Sequence, residues 1–138
     1  MKIRELAKLV FSPAQLKARR ELERVRKQPR YTPGTTTLFG RPLEYVDSSS
    51  YFFLHEEIFT EEVYAFNTAN PSPRIIDGGA NIGLSVIYFK RRFPNAHVTA
   101  FEADPSVAQV LRRNLQARGL GDVEVRAQAL WSHDGELA

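Results

Sequence analysis

The 138-residue chain contains no cysteine. That absence excludes a disulfide scaffold, a thiolate metal centre and a cysteine nucleophile. Long apolar runs are missing too, and every one falls far short of the roughly 20 residues that span a bilayer. The amino terminus, MKIRELAKLVF, lacks the extended apolar core and small-residue cleavage site of a secretory signal, so a cytoplasmic protein is expected. Histidine is scarce: His55, His97 and His133 do not fall at metal-ligand spacing, and no HxxxH or HExxH occurs. There is no internal repeat and no low-complexity stretch. What is present, 43% apolar and 25% charged residues, is ordinary for one globular domain. A chain of this length can bury roughly two thirds of its unfolded surface.

Charge is unevenly placed. Residues 1–30 carry ten Lys or Arg against three acids, a net +7, while the remaining residues carry nine against thirteen, a net −4. A short helix is expected at residues 1 to about 11. A second should start at Ser12-Pro13, with Ser12 as cap, Pro13 at the first helical position and Gln15 completing a capping box, and should run to about Lys27. This basic arm (1–30) reads first as a solvated helix leaning on the domain. Weak contact with an anionic membrane surface or an acidic partner comes second. Nucleic acid is disfavoured because no aromatic interleaving or recognised motif accompanies the charge.

Residues 31–73 read as a hairpin followed by an aromatic helical cap region. TTTLF and PLEYV flank Gly40-Arg41, the expected turn. In DSSSYFFLHEEIFTEEVYAF, Ser49 or Ser50 can cap one helix, and Thr60 with Glu61 and Glu62 can open another. Tyr51, Phe52, Phe53, Phe59, Tyr64 and Phe66 are expected in the core. Glu56, Glu57, Glu61 and Glu62 read as a solvated helical face, with Glu57 the one able to approach a pocket. From Arg74 the period changes. RIID enters a glycine loop, Gly83 to Phe93 is helical, and Lys90, Arg91 and Arg92 complement its dipole. HVTAF (97–101) is a second strand. Pro105, capped by Asp104, starts a helix with Val107, Val110, Leu111 and Leu115 inside, closed by Gly119 or Gly121. VEVRAQAL (123–130) alternates as a third strand. The class is therefore α/β, a β-α-β-α-β unit with a parallel sheet. Ser132-His133-Asp134 is adjacent in sequence and cannot converge as a triad; with Gly135 it reads as a turn.

The loop RIIDGGANIG admits two templates. For a dinucleotide G-x-G-x-x-G, Gly78, Ala80 and Gly83 fill the slots and the middle glycine is missing. For the D-x-G-x-G-x-G of S-adenosylmethionine sites, Asp77, Gly79, Asn81 and Gly83 fill them, and Asn tolerates positive φ well. A carboxylate about 5 Å from a pyrophosphate charge would be repelled by roughly 3 kcal/mol at an effective dielectric of about 20. S-adenosylmethionine offers an ammonium and a sulfonium instead, so Asp77 favours it. Glu102, ending the second strand, suits ribose hydroxyls in either cofactor.

EIF (57–59), Tyr64, IIDGGANIGLSVIYFK (75–90), Pro94, FEADP (101–105), NL (114–115), VEV (123–125) and AL followed by DGEL together resemble the FkbM family of S-adenosylmethionine-dependent methyltransferases. The match covers about residues 40 to 138, with Ala103 where members usually carry proline. The resemblance implies a class I, Rossmann-like methyltransferase fold. Residues 74–138 would be its N-terminal half, supplying three strands of a sheet ordered 3-2-1-4-5-7-6. It implies O-methylation of a hydroxyl on a sugar, a polysaccharide precursor or a secondary metabolite. It further implies that Asp77, Gly78, Gly79, Ala80, Asn81, Ile82, Gly83 and Leu84 form the methionine-side loop. Glu102 would anchor the ribose with Ala103 and Asp104 beside it, and Gln128 and Ala129 would lie near adenine. Catalytic base and methyl acceptor are not assignable, because such groups come mainly from loops after the fourth strand. The chain reads as a truncated form whose first strand is left as a bare apolar edge. An NAD-binding oxidoreductase fragment and a non-catalytic remnant or interaction module are the rival readings.

Overall fold

The computed structural model describes residues 11–135. The short helix expected at the amino terminus falls on residues 1–10, outside that range, as do residues 136–138. The chain divides into two compact units, residues 1–53 and 54–138.

In the first unit, helix α1 (Pro13–Arg26) opens with the expected capping box. The Ser12 hydroxyl accepts from the Gln15 N–H at 3.2 Å, and the Gln15 side chain accepts from the Ser12 N–H at 2.8 Å. Strands β1 (Gly34–Leu38) and β2 (Arg41–Tyr45) pair antiparallel with Leu38 opposite Arg41. The turn is therefore Phe39-Gly40, one residue earlier than expected. Both have positive φ, 51° and 75°, the backbone of a two-residue turn whose twist matches the strands. Helix α2 (Ser48–His55) is capped by Asp47 rather than by Ser49 or Ser50. The Asp47 carboxylate accepts from the Ser50 N–H at 2.9 Å and the Ser50 hydroxyl at 2.7 Å. Val25, Leu38, Leu43, Tyr45 and Tyr51 are the buried core of this unit, with Tyr45 stacked on Tyr51 at 5.7 Å.

In the second unit, Thr60 does not open a helix. Residues Glu56–Thr60 form one π-helical turn, closed by the Glu61 N–H on the Glu56 carbonyl at 2.9 Å, and residues 61–73 are irregular. Of the six aromatics expected in the core, only Tyr51 is buried. Phe53, Tyr64 and Phe66 are exposed, and Phe52 and Phe59 are half-buried. Phe59, Tyr64 and Phe66 lie as a partial cover on helix α3 (Leu84–Arg92): Phe59 meets Tyr88, Tyr64 and Phe66 meet Phe89, and Phe66 meets Phe93 at 4.8 Å. That cover explains why α3 is buried from Leu84 to Lys90, around its whole circumference.

Strands β3 (Arg74–Gly78), β4 (His97–Phe101) and β5 (Glu124–Arg126) form a parallel sheet in the order β3-β4-β5. Helix α4 (Pro105–Gln116) joins β4 to β5, capped as expected by Asp104, whose carboxylate accepts from the Ser106 N–H at 2.7 Å. Gly119, at φ +69°, supplies the left-handed turn after the helix. The third strand is three residues long and not the eight expected. Its ladder needs β4 alongside, and β4 ends at Phe101, opposite Arg126. Residues 127–130 therefore have no strand partner among the described residues and leave the sheet. Ile75, Val98 and Ala100 point to the helix-covered face and are buried. Ile76 points to the other face and is 71% exposed. β3 pairs only with β4 among the described residues, which is the apolar edge expected of RIID.

Lys90 does not simply serve the helix dipole. Its ammonium is buried and donates to the Ala96 carbonyl at 3.0 Å and to Asp122 at 2.6 Å, tying α3 to the turns at the feet of β4 and β5. That ion pair holds the Asp122 carboxyl below its ordinary range.

Candidate cofactor site

The site lies where parallel α/β sheets place one, at the carboxyl ends of the strands. After Gly78 the chain must turn sharply from β3 into α3. Gly79 (φ +87°), Asn81 (φ +49°) and Gly83 (φ +101°) take left-handed backbone to do so. Asn81 thus occupies the conformation that its place in the D-x-G-x-G-x-G pattern demands. The loop's amides are used to hold its own shape. Gly79 and Ala80 N–H both donate to the Phe101 carbonyl, at 2.9 and 2.8 Å, and Gly83 N–H donates to the Ala80 carbonyl at 2.9 Å. Ala80, Ile82 and Leu84 have buried side chains, so they can meet a ligand only through backbone. Gly78 packs closely under Leu130: a Cβ there would sit 3.0 Å from the Leu130 Cδ1, which would have to shift slightly.

Glu102 follows β4 and closes the loop from the far side. One carboxylate oxygen accepts from the Asn81 N–H at 2.9 Å, and the other accepts from the Asp104 N–H at 2.9 Å. Each oxygen retains a further lone pair, so the carboxylate is fixed in place while still able to accept. The sequence pattern paired Asp77 and Glu102 as two ends of one site, and the structure brings their loops together through Asn81. Asp104 itself is committed to capping α4, and Ala103 is exposed.

Asp77 points to the helix-covered face, where the Ser85 hydroxyl donates to it at 2.5 Å. Burial pushes its carboxyl above the ordinary aspartate range, and the Ser85 bond offsets only part of that. A raised acid favours its neutral form in the folded chain. Ionised Asp77 therefore destabilises the empty fold, and the penalty grows as pH rises from the ordinary aspartate value through the raised one. Asp77→Asn keeps an acceptor for Ser85 and removes the buried charge. It is expected to raise the melting temperature at pH 7 and to leave it nearly unchanged at pH 3, where both forms are neutral. Calorimetry at the two pH values checks this.

Gln128 and Ala129 border an open groove of about 710 Å³, together with Phe101, Ala103, Arg126 and Trp131. Arg126 lies over the Phe101 ring at 5.6 Å and pairs with Glu124 at 2.7 Å. Leu130, from the same wall, is the side chain that meets Gly78, so the groove adjoins the glycine loop. Sequence reading missed three contributors. Ser85 is one. Trp131, exposed in the groove wall, is another. The third is Asn114, buried on α4, whose amide donates to the Ile82 carbonyl at 2.9 Å and anchors the loop from below. Its signal was visible: a lone amide between Leu111 and Leu115 on an otherwise apolar stripe. Glu57, by contrast, is exposed. Among the described residues no group of His, Asp or Glu is arranged to hold a metal, and no helix is long and apolar enough to cross a membrane.

No family model matches the chain. The solved structure of M. jannaschii TYW2 in complex with AdoMet superposes with a TM-score of 0.53 at 20% identity, covering 71% of this chain and 44% of that one. The fold is the class I methyltransferase fold. The order β5-β4-β3 matches the 3-2-1 half of that sheet. Sequence relatives are named methyltransferases as well. Methyltransferase sdnD of Sordaria araneosa is 46% identical over 63 residues, covering 46% of this chain and 24% of sdnD. The 31-O-demethyl-FK506 methyltransferase FkbM of Streptomyces tacrolimicus is 32% identical over 77 residues, covering 54% of this chain and 30% of FkbM. The resemblance to FkbM proteins seen in the motifs is thus borne out. The chain spans about a quarter to a third of the length of these curated relatives.

Proposed function

We propose that this chain carries the cofactor half-site of an S-adenosylmethionine-dependent methyltransferase acting on a hydroxyl of a small molecule or glycan. The observation that carries the reading is Glu102, locked by two backbone N–H groups at the end of β4 with one further acceptor position left on each oxygen. It suits a ribose diol. A bound ammonium or sulfonium beside the loop would favour the ionised form of Asp77, which a pyrophosphate would oppose. The first-turn N–H groups of α3 would receive the cofactor's carboxylate. Ala103, Gln128 and Ala129 would face the adenine along the groove. When bound, the cofactor would supply an electrophilic methyl group for the acceptor oxygen. What the residues here do is position it: the loop fixes the amino-acid end and Glu102 the ribose, which sets where the methyl group points. Relatives named as methyltransferases, FkbM among them, support the same class. Action on a hydroxyl rests on that relative's name, which is that of an O-methylating enzyme.

Isothermal titration of the chain with S-adenosylhomocysteine and with NADH tests the reading. Saturable binding of the first and none of the second is expected. Preference for NADH would favour an oxidoreductase and overturn it. A folded chain that binds neither would point to the non-catalytic remnant.

A further inference from the structure

We infer that the outward face of α1, with the aromatics at its two ends, docks on an anionic lipid surface. The inward face of the helix is fixed by the first unit itself. Val25 is fully buried, Arg24 donates to the Thr35 carbonyl at 2.9 Å, and Thr36 donates to Glu21 at 3.0 Å. At 100° per residue the opposite side then carries Leu16, Arg19, Glu23 and Lys27, with Arg20 at one border and Arg26, lying over the Phe52 ring at 5.7 Å, at the other. Both acids of the helix are already neutralised within it, Glu21 by Arg24 at 2.7 Å and Glu23 by Arg26 at 3.0 Å. The charge of Arg20 and Lys27 forms no ion pair among the described residues, and both are exposed. Arg19 is exposed too and lies over the Phe11 ring at 5.7 Å.

Charge alone would suit any polyanion. The aromatics narrow the choice. Tyr31, just beyond α1, is 77% exposed and sits at φ +59°, a conformation that a tyrosine adopts only when held there. The holder is Asp47, which accepts from the Tyr31 N–H at 2.5 Å. Strain is thus spent on displaying a ring with Arg30 above it at 4.9 Å. Phe11 stands exposed at the other end of the helix. Rings beside Arg at both ends of a basic helix face are the arrangement that seats at the headgroup level of a bilayer. Residues 1–30 are net +7 and residues 31–138 net −4, so the chain's excess positive charge is carried by the segment that contains α1.

Sedimentation of the full chain with vesicles tests it. One set is phosphatidylserine mixed with phosphatidylcholine, the other pure phosphatidylcholine, each at about 0.1 and 0.5 M salt. Binding to the anionic vesicles only, lost at high salt, is expected. At about a fivefold affinity gain per basic residue near the surface, Arg19→Glu with Arg20→Glu and Lys27→Glu should lower the partition coefficient at least a hundredfold. Tyr31→Ser should lower it several-fold without altering the salt dependence, because it removes ring insertion and no charge. All four positions are on the surface, and an unchanged thermal transition confirms that each variant is folded. Equal binding to both vesicle types would overturn the inference. So would Tyr31→Ser binding like the parent while duplex DNA displaces the protein from vesicles, which would assign the face to a soluble polyanion.

Discussion

Gly83→Ala is expected to destabilise the second unit by about 2–5 kcal/mol. Two costs combine. The backbone there is left-handed, at φ +101°, where a Cβ costs about 1–2 kcal/mol. That Cβ would also lie 2.7 Å from Leu111 Cδ1 and 3.7 Å from Leu115 Cδ2. Leu111 is fully buried on α4, so overpacking adds about 1–3 kcal/mol. Gly79→Ala is the internal control. Gly79 is also left-handed, at φ +87°, but nothing lies within 4 Å of its Cβ, so only the backbone cost applies. Denaturant unfolding should therefore rank Gly83→Ala below Gly79→Ala by more than 1 kcal/mol. In a Leu111→Ala background the Gly83→Ala penalty should shrink towards the Gly79 value, because the clash partner is gone. Equal penalties at the two glycines would mean that α4 does not press on the loop.

This contact shows which parts of the fold could be read from sequence. Gly83 was legible as a turn residue because the demand for positive φ is local. The capping box at Ser12, the Asp104 cap with Pro105 behind it and the HVTAF strand were legible for the same reason: each is fixed by residues within four positions. That Gly83 must also stay bare for Leu111 depends on how α4 lies against α3, and no local pattern carries that. The π-helical turn at Glu56–Thr60 was hidden in the same way. Its sequence, EEIFT, reads as an ordinary helix, and Ile58 is buried there by packing rather than by period. The aromatic stretch misled because hydrophobicity was read as depth. Tyr64 and Phe66 instead lie across α3 with one side to solvent, as large rings often do. Lys90 misled in the opposite direction: a helix-terminal cation reads as solvated until Asp122 and the Ala96 carbonyl are found facing it. The candidate cofactor site was more legible than its surroundings. The loop's strain, the acid at its entrance and the acid after the next strand are all written in short motifs. What sequence lacked was the bond from Asn81 to Glu102, which couples the two.

That coupling determines the outcome of Glu102→Ala. If the proposed ribose contact holds, the substitution removes two hydrogen bonds to a charged acceptor, each worth about 1.5–3 kcal/mol, partly replaced by water at this half-exposed site. A loss of affinity for S-adenosylhomocysteine on the order of a hundredfold is expected. The same substitution releases the Asn81 and Asp104 N–H groups, so a second effect should accompany the first. Asn81, at φ +49°, loses the tether that holds it in an unfavourable backbone region, and its amide should exchange faster even in the absence of ligand. The core is untouched, since Glu102 contributes no buried apolar surface, so cooperative unfolding should persist. Glu102→Gln separates the two effects. Its remaining oxygen can keep one tether, but its amide nitrogen meets the other N–H donor to donor. Affinity should therefore fall less than in the alanine variant, with faster exchange at either Asn81 or Asp104 but not both. Titration calorimetry and amide exchange on the three proteins read these outcomes independently. Faster exchange at Asn81 with affinity held within threefold would make Glu102 a loop tether alone and place the ribose elsewhere along the groove.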